Sequence, residues 1–154
     1  METDYLKSSI SINANVQHVW NFLSKITSLD WLEGQKSSKF LSKEKRGIGA
    51  MRLISFTDGA NVEECIVGWK PKKYFSYIAI TGLPFDAYHA TISMNQVSNV
   101  TKVTWESYFS SGQKKSEFIE FKKFLSKFYI LSLKKLKNEL EYDYRSSIMT
   151  LGLG

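Results

Sequence analysis

The stretch that decides the fold is Met51–Thr81, which reads MRLISFTDGANVEECIVGWKPKKYFSYIAIT. It contains three runs rich in β-branched and aromatic residues: Met51–Phe56, Val62–Trp69 and Tyr74–Thr81. Asp58-Gly59 separates the first two runs and is a strong hairpin signal, because glycine accepts the backbone conformations that tight turns require. Pro71 marks the next turn. The pattern predicts consecutive antiparallel strands.

The residues that follow continue this pattern. Gly82-Leu83-Pro84 predicts a turn, and Phe85–Val97 alternates between polar and apolar side chains. One face of that run carries Tyr88, Ala90, Ile92 and Met94. Ser98-Asn99 predicts another turn, which leads into a strand at Val100–Phe109.

After Gly112 the apolar residues change to helical spacing, and a helix is predicted to run to about Tyr144. Its apolar positions are Phe118, Phe121, Phe124, Leu125, Phe128, Leu131, Leu136 and Leu140. We expect a single domain over residues 1–145 and a frayed tail over Ser146–Gly154.

The N-terminal part predicts one strand and two short helices. Ser8–Asn13 alternates polar and apolar residues, as a half-buried strand does. Asn15 has a side chain suited to an N-cap and is followed by apolar residues at helical spacing: Val16, Val19, Trp20 and Leu23. A second short helix is expected at Ser28–Leu32.

This order of elements predicts an α+β fold, in which a curved seven-stranded antiparallel sheet surrounds a long C-terminal helix and two short helices follow strand 1. The last helix is the only one long enough to cover the inner face of the sheet. A curved sheet around one helix encloses space that side chains do not fill. That predicted cavity is the lead to function.

Composition excludes several classes of protein. The chain has 154 residues, of which 43% are apolar and 23% charged, with nine Gly and two Pro, so it is neither collagen-like nor disordered. A lone cysteine, Cys65, cannot form an intrachain disulfide. Because neither a membrane-length apolar run nor the core of a signal peptide is present, we expect a cytoplasmic protein with no integral membrane association.

The net charge is +6, from 21 Lys and Arg against 15 Asp and Glu. Most of the late lysines are interleaved with glutamates along the predicted last helix, which is typical of a solvated helix face. We therefore expect no nucleic-acid partner. A lysine-rich helix face can also dock an acidic partner, and this interpretation stays open.

A set of short motifs occurs in the order and spacing of a known superfamily. They are Val19-Trp20, Leu29-Asp30-Trp31, Gly47-Ile48-Gly49-Ala50-Met51-Arg52, Asp58-Gly59, Val62-Glu63-Glu64, Tyr74-Phe75-Ser76-Tyr77 and Val103-Thr104-Trp105. Over nearly the whole chain this arrangement resembles the helix-grip fold of the START and Bet v 1-like (SRPBCC) superfamily, in particular its polyketide cyclase/dehydrase-like branch. The resemblance implies a cavity that takes lipids, hormones or aromatic polyketides, and some members catalyse cyclisation or dehydration there.

A more distant resemblance is to the plant abscisic acid receptors. The residues that match their pocket residues are Arg52, Glu64, Tyr88 and Glu106-Ser107-Tyr108. Leu32 stands where the receptors carry the lysine for the ligand carboxylate, and Ser55–Ala60 and Leu83-Pro84-Phe85 replace their gate and latch loops. The resemblance therefore implies the cavity and part of its polar lining, but not hormone reception.

Alternation along the strands predicts that Glu64 faces inward and pairs with Arg52. Glu64 shares a face with Val62 and Ile66, so we expect it to point inward among apolar side chains, where a carboxylate is costly unless it is paired. Arg52 lies on the neighbouring strand of the predicted hairpin and is the natural partner. Two interpretations remain open: a structural ion pair in the cavity wall, or a pair that orients a polar group of a ligand.

Further cavity residues are predicted on two strands and on the long helix. Tyr77 shares a face with Ala79, and Tyr88 shares one with Ala90. Small residues beside aromatic ones leave room in an interior. On the helix, the resemblance implies a pocket face formed by Phe124, Leu125, Phe128 and Ser132.

The last strand can be oriented in two ways. Alternation of hydrophobicity places Val103, Trp105 and Phe109 inward, whereas the resemblance places Glu106 and Tyr108 inward. We adopt the second orientation, because the first group could pack on the outer side of a bent sheet. The predicted ligand-binding set is Arg52, Glu64, Tyr77, Tyr88, Glu106, Tyr108, Phe124, Leu125, Phe128 and Ser132.

Catalytic groups are sparse in this sequence. His18 is predicted to be exposed, His89 is predicted to point away from the cavity, and neither has metal-ligand spacing. Phosphate-loop and dinucleotide motifs are lacking, so no cofactor and no metal are expected. Any chemistry would use Glu64 or Glu106 as acid or base, with Arg52 or a tyrosine hydroxyl polarising a carbonyl.

The sequence thus predicts a protein that binds a small hydrophobic ligand, lipid-like or aromatic and polyketide-like, in the cavity between sheet and helix. The alternative is a cyclase or dehydratase acting in the same cavity. A third interpretation is an interaction module whose basic helix docks an acidic partner. The expected partner is a small hydrophobic molecule, and the expected assembly is a monomer or a weak homodimer.

Overall fold

The computed structural model describes residues 2–112 and 114–148, which form two helices and seven strands. In chain order these are strand β1 (Glu2–Ile12), helix α1 (Val16–Leu23), strands β2 (Gln35–Phe40), β3 (Met51–Phe56), β4 (Asn61–Lys70), β5 (Tyr74–Thr81), β6 (Ala87–Val97) and β7 (Val100–Ser111), and helix α2 (Lys115–Ile148). The predicted α+β helix-grip fold is confirmed.

The strands form one antiparallel sheet in the order β1-β7-β6-β5-β4-β3-β2. Strands β2 to β7 follow one another as hairpins, whereas β1 pairs with β7 and brings the N-terminal strand beside the last one. Helix α2 is tied to β1 by two lysines. Lys122 Nζ lies 2.6 Å from Asp4 Oδ2, and Lys137 Nζ donates to the carbonyl oxygen of Ser11 at 2.7 Å.

Both helices bury one apolar face. Helix α1 is capped by Asn15, whose side chain accepts a hydrogen bond from the His18 amide at 2.8 Å, as predicted. Its buried residues are Val19, Trp20 and Leu23. The buried residues of α2 are Phe118, Leu125, Tyr129, Ser132, Leu133, Leu136 and Leu140. The Tyr129 ring stacks on Trp105 of β7 at a centroid distance of 3.9 Å, so α2 packs directly on the inner face of the sheet.

Two glycines fix the loops at one end of the sheet. Gly59, in the turn between β3 and β4, has φ +92°, a conformation that other residues rarely adopt. Gly82 follows β5 with φ +99°, and a Cβ added there would lie 2.0 Å from the Asn61 carbonyl oxygen. The loop after β5 therefore packs against the backbone of β4, and a side chain at residue 82 would force the two apart.

The predicted second short helix at Ser28–Leu32 is wrong, because none of these residues is helical; Asp30 and Trp31 form a turn and Leu32 lies in a bend. The Ser28 amide donates to the Lys25 carbonyl and the Leu32 amide to the Leu29 carbonyl, both at 2.9 Å. A helix of one turn is costly to nucleate, so burial of the apolar side chains decides the local structure instead. Leu29 and Trp31 are each only 3% exposed.

Strand β2 has no counterpart among the predicted strand ranges. Its sequence, QKSSKF, is mostly polar and lacks clear alternation of apolar residues. The strand forms one edge of the sheet, where polar residues are common because one side of the backbone faces solvent.

The long helix extends farther than predicted at its C-terminal end. It continues to Ile148, three residues into the segment expected to be a frayed tail. Residues 149–154 of that expected tail lie outside the described residues.

Candidate functional site

A cavity of about 450 Å³ lies between the inner face of the sheet and α2. Tyr77, Tyr88 and Ile92 are buried in its walls. Asp58 in the β3–β4 turn and Phe124 on α2 also line it but are exposed. The cavity therefore opens to solvent between that turn and the first half of α2.

The deep wall of the cavity contains the predicted ion pair. Arg52 and Glu64 are directly opposite each other in the β3–β4 register and are 5% and 7% exposed. Glu64 Oε1 accepts from Arg52 Nε at 2.9 Å and lies 2.7 Å from Arg52 Nη2. Arg52 Nη1 donates to the carbonyl oxygen of Ile26 at 2.7 Å, so the guanidinium is held on two sides.

Burial sets the electrostatics of this pair. The pKa of Glu64 is raised above its ordinary value because desolvation outweighs the attraction and hydrogen bond of Arg52. The Arg52 guanidinium carbon also lies 5.1 Å from the ring centroid of Tyr77, where the π-face attracts a cation. The Arg52 guanidinium thus contacts Glu64, the carbonyl oxygen of Ile26 and the ring of Tyr77.

Three tyrosines surround the pair as neutral phenols. Burial raises the pKa of Tyr77 and Tyr88 well above the ordinary value, and it also raises the pKa of Tyr129. The Tyr77 hydroxyl accepts a hydrogen bond from Trp105 Nε1 at 2.9 Å, and the hydroxyls of Tyr88 and Tyr129 are hydrogen-bonded to each other. These groups add hydrogen-bonding capacity without adding charge.

Tyr129 was not among the predicted site residues. The signal that could have found it is its spacing, since it lies four residues after Leu125 and four before Leu133 on the buried face of α2. Trp31 and Phe56 also line the cavity without having been predicted there. Trp31 packs edge-on against Trp105, which places the turns after α1 in the cavity wall.

The α2 residues of the predicted set divide into two groups. Phe124, Leu125 and Phe128 line the cavity, with Leu125 buried and Phe124 57% exposed at the opening. Ser132 is fully buried but is not part of the lining. Its hydroxyl accepts a hydrogen bond from the Glu33 amide at 2.9 Å, so it anchors the segment before β2 to the helix.

The inward placement of Glu106 and Tyr108 is wrong. Tyr108 is 57% exposed on the outer face of the sheet, with its ring 4.8 Å from that of Tyr5. Glu106 accepts a hydrogen bond from the Tyr5 hydroxyl at 2.8 Å on the same face. The apolar residues buried from β7 are those favoured by hydrophobic alternation: Val103, Trp105 and Phe109. This orientation is favoured because it removes the apolar surface of these three side chains from water.

The two histidines lie apart from the cavity. His89 is exposed on β6, as predicted, whereas His18 is half-buried, with Nε2 3.0 Å from Asp143 Oδ2. Across residues 2–112 and 114–148, no three His, Cys, Asp or Glu side chains are grouped closely enough to hold a metal ion. Neither α1 nor α2 has a stretch apolar and long enough to span a bilayer.

The chain is similar to several solved structures over most of its length. An uncharacterized protein from Bacillus thuringiensis is 25% identical, with a TM-score of 0.73 over 89% of this chain and 98% of its own. The protein XoxI from Bacillus cereus is also 25% identical, with a TM-score of 0.74 over 88% and 94%. A protein from Nitrosospira multiformis shares the fold at 20% identity, with a TM-score of 0.75 over 92% and 99%. No protein with a curated function matches the sequence.

Most of the chain matches a known protein family. Residues 5–141 match the family described as polyketide cyclase/dehydrase and lipid transport, a span that includes every strand from β2 to β7 and most of α2. This match confirms the resemblance to the polyketide cyclase/dehydrase-like branch. The chain belongs to the polyketide cyclase/dehydrase and lipid transport family.

Proposed function

We propose that this protein binds a small hydrophobic ligand, lipid-like or aromatic and polyketide-like, in the cavity between the sheet and α2. The observation that carries the proposal is the cavity itself, which has predominantly apolar walls and a buried polar end. Burial of apolar ligand surface contributes about 25 cal/mol per Å² before the cost of ordering the ligand.

The proposed ligand contacts are the predicted residues that line the cavity: Arg52, Glu64, Tyr77, Tyr88, Phe124, Leu125 and Phe128. Apolar contact would come from the α2 residues, and polar contact from the β3–β4 pair and the tyrosines. Glu106, Tyr108 and Ser132 are left out of this set because they do not face the cavity.

A cavity-filling substitution tests the proposal. Leu125 is buried on α2 and lines the cavity, so Leu125→Trp fills part of it. Ile130 lies on the same helix outside the lining and is 45% exposed, so Ile130→Trp is the matched control. The ligand probe is N-phenyl-1-naphthylamine, a neutral dye that fluoresces in apolar surroundings.

We expect saturable fluorescence enhancement with the wild-type protein and with Ile130→Trp. The affinity of Leu125→Trp should fall by about tenfold or more, corresponding to at least ~1.4 kcal/mol of binding free energy. Circular dichroism and thermal unfolding verify that each variant is folded. Absence of saturable binding by the folded wild-type protein, or equal binding by the two tryptophan variants, contradicts the proposal.

One observation favours the enzymatic alternative. Glu64 is a cavity carboxyl whose pKa is raised, which suits a group that exchanges a proton with a substrate. Incubation with a linear poly-β-ketone followed by mass spectrometry separates the two functions. A cyclised or dehydrated product that is lost in Glu64→Gln supports catalysis, whereas recovery of the unaltered compound supports binding alone.

A further inference from the structure

The polar end of the cavity carries no net charge. Among the described residues, Arg52 and Glu64 are the charged groups buried in the lining, and their charges cancel. The other charged lining residues, which lie toward solvent, are Glu33, Asp58 and Lys127. Water screens these three, so the chemistry of the deep end is set by the buried pair.

The hydrogen bonds of the pair leave specific groups unused. Both contacts from Arg52 go to Glu64 Oε1, while Glu64 Oε2 has no hydrogen-bond partner among the described residues. The Glu64 side chain is 8% exposed, and because it lines the cavity, this exposed part faces the cavity. A guanidinium has five N–H groups, of which three are engaged here, so Arg52 keeps two N–H donors.

We propose that the cavity selects a neutral hydrophobic ligand that carries a hydroxyl group, an alcohol or a phenol, over an anionic ligand that carries a carboxylate. A hydroxyl donates to Glu64 Oε2 and can accept from Arg52 at the same time, which matches the unused acceptor and donors. This inference rests on the proposed binding function and names the polar group that the cavity recognises.

A ligand carboxylate fits this end of the cavity poorly. It would have to share the Arg52 guanidinium with Glu64, which places two like charges close together in a poorly hydrated site. It also has no hydrogen to donate to Glu64 Oε2. Leu32, at 6% exposure in the lining, supplies no second cation.

The test compares three probes with the same ring system: 2-naphthol, 2-naphthoate and naphthalene. At neutral pH these are a neutral hydroxyl compound, a carboxylate and a hydrocarbon. Their dissociation constants are measured by displacement of N-phenyl-1-naphthylamine from the protein. We expect 2-naphthol to bind wild-type protein about tenfold or more tightly than 2-naphthoate, a difference of ~1.4 kcal/mol.

Glu64→Gln and Glu106→Gln make a matched pair of variants. Each replaces one glutamate by its neutral amide, but Glu64 faces the cavity and Glu106 the outer surface. In Glu64→Gln the Arg52 charge is no longer cancelled, so the affinity ratio of naphthol to naphthoate should shift about tenfold or more toward naphthoate. Glu106→Gln should keep the wild-type ratio.

The possible failures are distinguishable. If the wild-type protein binds neither the dye nor naphthalene, the proposed binding function itself fails. If both bind but 2-naphthoate binds as tightly as 2-naphthol, only the preference for a hydroxyl is overturned. The wild-type comparison stands even if Glu64→Gln does not fold. An equal shift of the ratio in both folded variants also overturns the inference, because it assigns the effect to overall charge.

Discussion

Two ion pairs of similar length behave differently in this protein. Arg52 Nη2 and Glu64 Oε1 are 2.7 Å apart, and Lys122 Nζ and Asp4 Oδ2 are 2.6 Å apart. The side chains of the first pair are 6% and 8% exposed, whereas those of the second are 35% exposed. The pKa of Glu64 is raised by burial, while the pKa of Asp4 is lowered by its hydrogen bond to Lys122.

The difference shows that surroundings, not contact geometry, decide what an ion pair does. In the buried pair, loss of hydration exceeds the mutual attraction, so the pair is a poor source of stability compared with apolar residues of similar volume. The exposed pair keeps its water and gains a little from the contact. The buried pair instead gives the cavity a fixed polar end, which is the basis of the proposed ligand selectivity.

Removing one cation from each pair tests this contrast most strongly. Arg52→Met leaves the Glu64 carboxylate buried without a partner, and we expect the free energy of unfolding to fall by about 3–5 kcal/mol at neutral pH. Lys122→Met removes the same charge from the exposed pair and should cost about 0–1 kcal/mol. Urea denaturation of both variants measures the difference. Equal losses would show that burial does not separate the two pairs.

The same contrast between inner and outer faces applies to tyrosine hydroxyls. Tyr88→Phe removes the buried hydrogen bond to Tyr129 and should lower the free energy of unfolding by about 0.5–1.5 kcal/mol. Tyr108→Phe makes the same change on the outer face, where the side chain is 57% exposed, and should leave stability nearly unchanged. Thermal and urea unfolding provide the measurement. A larger loss in Tyr108→Phe would contradict the assigned orientation of β7.

The buried pair was predictable because its determinants are local. The Asp58-Gly59 turn fixes the register of β3 against β4, and strand alternation then sets which side chains point inward. The same alternation correctly orients β7, where Trp105 and Phe109 point inward, whereas the resemblance to the receptors predicts the opposite orientation. Strand β2 lacks such a signal, since an edge strand of polar residues does not alternate.

The size and opening of the cavity could not be predicted from these patterns. Helical spacing identifies Phe124, Leu125 and Phe128 as neighbours, but it does not say that Leu125 is buried while Phe124 stays exposed at the mouth. That depends on how far α2 stands from the sheet, which long-range packing decides. One such contact is the stacking of Tyr129 on Trp105. The two residues are 24 positions apart, and no sequence pattern predicts that they meet.

The smallest expected effects concern the pH dependence of stability, to which Asp4 and Glu64 should contribute with opposite signs. Because the pKa of Asp4 is lowered from 3.8 in the folded protein, its contribution to stability is present above that value and is lost as the pH falls through the folded pKa. Glu64 has a raised pKa, so the folded protein holds this proton more tightly than the unfolded chain does. Its cost at neutral pH is relieved as the pH falls through its folded pKa.

Substitution of each acid separates these contributions. Asp4→Asn keeps an acceptor for the Tyr5 amide and should cost about 0.2–1 kcal/mol at neutral pH, an effect that disappears in acid. Relative to wild type, Glu64→Gln should instead lose stability as the pH falls, because the variant lacks the proton uptake that favours the folded state. Urea denaturation at neutral and acidic pH measures both slopes. If both substitutions changed stability with pH in the same direction, burial would not determine the pKa of Glu64. The exposed and buried acids would then respond to protons alike.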